Sequence, residues 1–94
     1  MSSEGLHEKA DNLSTGTIDM HRAIVSLVEE LEAVDWYHQR VDACDDDDLR
    51  KILEHNRDEE KEHAAMLIEW IRRHDKKFEE ELKDYLFTDK EIAH

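Results

Sequence analysis

Ninety-four residues suffice for one small domain, 1–94, and exclude two, and a chain this short buries a modest core unless it assembles with others. With no Pro, two Gly and 41% charged residues, the sequence reads as long helices with loops confined to the ends. A net charge of −13 argues against nucleic-acid and anionic membrane partners and suits cations.

Residues 1–14 are polar and read either as a loosely ordered, frayed start or as a short helix docking one weak apolar edge through Leu6, Ala10 and Leu13. The hydroxyls of Ser14-Thr15-Gly16-Thr17 suit the start of a long helix that ends near Ala43. Its apolar stripe is Met20, Ile24, Leu27, Leu31, Val34 and Val41, with Glu30 on the edge and Tyr37 two turns along on the same side. Taken alone, Glu30 reads as a boundary carboxylate reaching for water. On the opposite face Val25, Glu29, Glu32 and Trp36 share one sector, and a tryptophan there makes that sector a candidate subunit contact.

The run Asp45-Asp46-Asp47-Asp48 breaks the pattern and suits the start of the next helix, because carboxylates accept from its free N–H groups. It lacks the alternating ligand positions of a calcium loop. The second helix is expected from about Leu49 to His74, with a stripe of Leu49, Leu53, Ala64, Leu67 and Ile71. Asn56, Glu60 and His63 fall inside that stripe, although the helix has a solvent face available for them. After a break near Asp75, Phe78, Leu82, Tyr85 and Leu86 mark a shorter third helix, and Thr88 to His94 reads as a loose tail. No apolar run is long enough to span a bilayer, and Met1-Ser2-Ser3-Glu4 lacks the basic start and apolar core of a secretory signal. The expectation is a cytoplasmic chain whose lone Cys44 is a reduced thiol.

Glu-x-x-His occurs three times, at Glu4/His7, Glu60/His63 and Glu91/His94, so the spacing alone carries little. Burial separates the copies, since only Glu60 and His63 point the same way from the middle of an amphipathic helix. An unpartnered carboxylate in a core costs several kcal/mol, so the position implies either a paired charge or a metal. A short acidic turn makes the two long helices an antiparallel hairpin. Counted from Asp45, Glu30 and Glu60 are each 15 residues away, which sets them level across it. Di-iron carboxylate bundles use one Glu from each of two helices and Glu-x-x-His from each of the other two. This chain holds one of each, which is half of a four-helix bundle and half of a site, and a two-fold dimer would complete both. Carboxylates with a single imidazole per metal suit iron or manganese better than structural zinc.

The segments His21-Arg22-Ala23-Ile24-Val25-Ser26, Glu29-Glu30-Leu31-Glu32-Ala33-Val34-Asp35-Trp36-Tyr37 and His55-Asn56-Arg57-Asp58-Glu59-Glu60-Lys61-Glu62-His63-Ala64 resemble the encapsulated ferritins, two-helix relatives of ferritin carried inside encapsulin shells. The likeness runs from about residue 20 to Phe87 and includes the ending Tyr85-Leu86-Phe87-Thr88. It implies an annular decamer of dimers with a di-iron ferroxidase centre formed by Glu30, Glu60 and His63 of two chains, and Tyr37 close to it. It further implies a metal-access site at Glu29, Glu32 and Trp36, which calcium or another divalent cation could occupy, and an encapsulin shell protein as partner. The family typically carries a C-terminal encapsulation peptide, and the 94 residues end before such a segment. On this reading Glu60 bridges the metals, Glu30 and His63 are terminal ligands, and the second ring nitrogen of His63 needs an acceptor that fixes its tautomer. The alternative is a non-catalytic helical assembly or cargo adaptor in which Glu60 and His63 form buried polar pairs that set register.

Overall fold

The computed structural model describes residues 5–94, so Glu4 and the first Glu-x-x-His pairing lie outside the described residues. Among the described residues the chain is all helical: α1 spans Thr15–Ala43, α2 Asp47–His74 and α3 Lys76–Tyr85, preceded by one turn of 3-10 helix at Ala10–Asn12. The short N-terminal helix suggested by Leu6, Ala10 and Leu13 is thus a single turn. Leu6 and Ala10 stay exposed, so that edge gains too little burial to extend it.

Capping chemistry sets the ends. Ser14 accepts from the Thr17 N–H (3.1 Å) at the start of α1. Asp46 accepts from the Leu49 N–H (2.8 Å), which moves the start of α2 two residues ahead of the expected Leu49. Asp47 pairs with Arg50 and Asp48 lies in the first helical turn, where negative charge favours the helix end. Asp75 alone separates α2 from α3, and its carboxylate caps α3 through the Phe78 N–H (2.9 Å). Arg72 braces this joint by donating to Glu69 on its own helix (2.7 and 2.6 Å) and to Glu79 on α3. The Arg72 guanidinium, joined by that of Arg73, holds the Glu69 carboxyl down at about 2.

A three-residue link folds α1 and α2 into an antiparallel hairpin, and the seam between them is narrow. Only Ala23, Ala64 and Ile71 are fully buried among the described residues. The long stripe read on α1 therefore has two sides. Ala23 lies on the line that seats α2, whereas Ile24 and Leu31, about 100° further round the helix, remain 46% and 52% exposed. On α2, Leu49, Ile52 and Met66 are exposed as well. The radius of gyration is 16.8 Å, where a compact domain of this length would have about 12 Å. The accessible surface of 7572 Å² exceeds the value for a compact monomer of 11.2 kDa by about 1,900 Å². Among the described residues no helix is long and apolar enough to cross a membrane.

Candidate metal centre

The hairpin brings three of the sequence-predicted ligands together. Glu30 comes from α1 and Glu60 and His63 from successive turns of α2, and one ligand atom from each lies within 4.8 Å of the other two. Among the described residues this is the one such group of three or more metal-ligating side chains. Nδ1 of His63 stands 3.4 Å from Oε2 of Glu30 and 3.5 Å from Oε2 of Glu60. Those separations are long for hydrogen bonds but match the spacing of donors around one ion held at about 2.1 Å, whose ligand atoms stand roughly 3.0–3.5 Å apart.

The unmet need of Glu30 supports the same reading. Its Oε2 is buried and makes no hydrogen bond, although the imidazole is close by. An unsatisfied carboxylate oxygen is costly in a protein interior, and a cation at the centre of the group would satisfy it. Two hard oxygen donors and one imidazole fit iron or manganese. The group also lies at the edge of the seam. The Glu30 and Glu60 side chains are 24% and 23% exposed, whereas His63 is 41% exposed on the same side of α2 as Ile52 and Trp70. One face of the cluster is therefore open. Among the described residues Nε2 of His63 has no hydrogen-bond acceptor to fix the tautomer.

The other predicted residues lie elsewhere. Tyr37 is half-buried two turns along α1 from Glu30, outside the ligand group, with the Arg40 guanidinium over its ring at 5.1 Å. Glu29 and Trp36 are exposed and Glu32 half-buried on the outer face of α1, and no third metal-ligating side chain joins the two carboxylates there among the described residues. His94 of the last Glu-x-x-His pairing turns instead toward the Tyr85 hydroxyl (3.3 Å). Arg57, which periodicity did not single out, forms a second polar bridge between the helices, its guanidinium reaching 3.5 Å from Nδ1 of His38. The signal available in sequence was its place three residues before Glu60.

Known proteins are similar to this chain over much of its length. A Rhodospirillum rubrum protein named encapsulated ferritin-like protein is 60% identical over 92 residues, 98% of this chain, and this chain spans 66% of that protein's length. The Myxococcus xanthus encapsulin nanocompartment cargo protein EncC is 43% identical over 51 residues, 54% of this chain and 39% of its own length. The crystal structure of a Nitrosomonas europaea protein is similar with a TM-score of 0.92 at 68% identity, covering 97% of this chain and 100% of that one. The EncFtn-like family model matches residues 5–89, and the chain belongs to the EncFtn-like family.

Proposed function

We propose that this chain is a ferroxidase, oxidising Fe(II) to Fe(III) at a di-iron site shared by two copies and supplying iron for storage in an encapsulin nanocompartment. The convergence of Glu30, Glu60 and His63, with a buried Glu30 oxygen lacking any hydrogen bond, carries this reading. One chain contributes two carboxylates and one imidazole, half of the donor set of a di-iron bundle, and the open side of the cluster is where a second copy would add the rest. The surface left over after the hairpin forms, about 1,900 Å² per chain or about 3,800 Å² for a pair, is in the range that obligate interfaces bury in total. Ile24, Leu31, Leu49, Ile52 and Met66 are the apolar residues such a partner would cover. A ring of such dimers is the larger assembly we propose, with the encapsulin shell as its container.

Iron is the substrate here. Two Fe(II) ions give up one electron each, and one dioxygen or peroxide takes both. Glu30, Glu60 and His63 hold the ions and leave coordination positions free, and the carboxylates stabilise the charge gained on oxidation. Glu60 is the candidate bridge between the two ions. Tyr37, two turns along α1 from Glu30, is proposed to act beside the centre of the assembled pair without ligating. Glu29, Glu32 and Trp36 offer a looser divalent-cation site on the outer face that would concentrate substrate.

The second reading, a non-catalytic assembly or cargo adaptor with a structural Glu–His network, makes a different prediction for stability. Adding Mn(II), a surrogate that keeps its oxidation state, to metal-stripped protein should raise the melting temperature. The stabilisation should be about 2.7 kcal/mol when Mn(II) stands at a hundred times its dissociation constant. His63→Ala should cancel the rise. A melting temperature indifferent to Mn(II) would favour the adaptor.

A further inference from the structure

Beside the ligand group, toward the hairpin turn, stands a cation that the proposed metal chemistry does not use. Arg57 leaves α2 three residues before Glu60, and its side chain is only 20% exposed. The guanidinium donates from Nε to Asp58 (3.2 Å) and approaches Nδ1 of His38 on α1 (3.5 Å). Asp58 faces solvent, so that pairing is screened. Arg57 makes no ion pair with Glu30 or Glu60, so their carboxylate oxygens remain available to an ion.

An arginine keeps its charge at any working pH. Residues three apart on a helix have Cβ atoms about 5–6 Å from each other. The guanidinium itself is drawn toward His38, eight residues or about 12 Å of rise along α1 from Glu30. A fixed positive charge therefore stands on the seam within roughly 12 Å of the place where Glu30, Glu60 and His63 would hold a dication. Such an arrangement opposes tight binding, and a site built for retention would have no use for it. We propose that Arg57 is an affinity-limiting counter-charge, which offsets the repulsion between Glu30 and Glu60 while no ion is bound and weakens their hold on a cation, so that the centre passes iron on rather than keeping it. This rests on the ferroxidase reading above, and it assigns Arg57 a part in release rather than in oxidation. The His38 contact fixes where the charge sits, because it ties the flexible arginine to the opposite helix.

The sign of the effect separates this role from a structural one. Damage to the fold would loosen metal binding, whereas removing an opposing charge tightens it. Mn(II) binding to metal-stripped full-length protein, followed by equilibrium dialysis, should be about tenfold tighter in Arg57→Gln than in the parent, the size expected for a dication and a unit charge about 12 Å apart at an effective dielectric of about 40. Arg57→Lys, which keeps the charge, should bind within about threefold of the parent. Arg57→Met keeps the length of the stem without its charge, and should tighten binding to the same degree if glutamine prevents folding. After aerobic loading with Fe(II), Arg57→Gln should also retain more iron through gel filtration. Equal or weaker Mn(II) binding in both uncharged variants would overturn the proposal while leaving the metal centre intact. A parent that binds no more Mn(II) than Glu60→Ala would overturn the centre itself, and the role of Arg57 with it.

Discussion

Metal-stripped Glu60→Ala protein is expected to oxidise Fe(II) at close to the background rate, with a loss of about a hundredfold or more. Residues that merely orient a metal ligand are worth ten- to a hundredfold in activity, and Glu60 is proposed as a ligand and as the bridge. The substitution removes one of the three donors that lie within 4.8 Å of one another. It also leaves Glu30, whose buried Oε2 already lacks a hydrogen-bond partner, without the cation that would satisfy it. Because alanine removes a half-buried carboxylate rather than a packed apolar group, helicity and melting temperature should change little in the absence of metal, and circular dichroism checks that. A folded variant that oxidises iron as fast as the parent would remove Glu60 from the mechanism.

The second large effect concerns the face beside the cluster. Ile24 and Leu31 lie seven residues apart on one line of α1 and are left about half exposed by the hairpin. If a second copy covers them, Ile24→Asp with Leu31→Asp places two charges per chain in an apolar contact, at several kcal/mol each. That weakens association by more than about a thousandfold, since every 1.4 kcal/mol is tenfold. Sedimentation should then find single chains where the parent sediments as a larger species, and iron oxidation should be lost although Glu30, Glu60 and His63 are untouched. A doubly substituted protein that assembles and turns over like the parent would place the partner on another face.

Much of the hairpin was legible in the sequence because it depends on local rules. Ser14, Asp46 and Asp75 cap the three helices as side-chain chemistry dictates. The level placement of Glu30 and Glu60 follows from a short turn and a fixed rise per residue, and it survives in the folded chain as a cluster of ligand atoms. What periodicity left open was which side of a wide stripe α2 would take. Ala23 sits on that line, and a small residue weighs little in any apolar pattern, although it is what lets two helices approach closely. The Arg57–His38 contact was out of reach for a related reason. A long side chain bridges to a neighbour displaced along the hairpin, a distance that face-by-face reasoning does not register. Glu29, Glu32 and Trp36 share one sector of α1, as helical spacing requires, and no third metal-ligating side chain joins them among the described residues.

The central claim is that two copies share one pair of irons, and native mass spectrometry of stripped protein loaded anaerobically with Fe(II) tests it directly because it counts chains and metals in the same ion. The account predicts iron only on species with an even number of chains, at one iron per chain, so that each pair of half-sites holds two. It further predicts that Glu60→Ala carries none. Iron bound stoichiometrically to single chains, or assemblies that form fully and take up no iron, would contradict it.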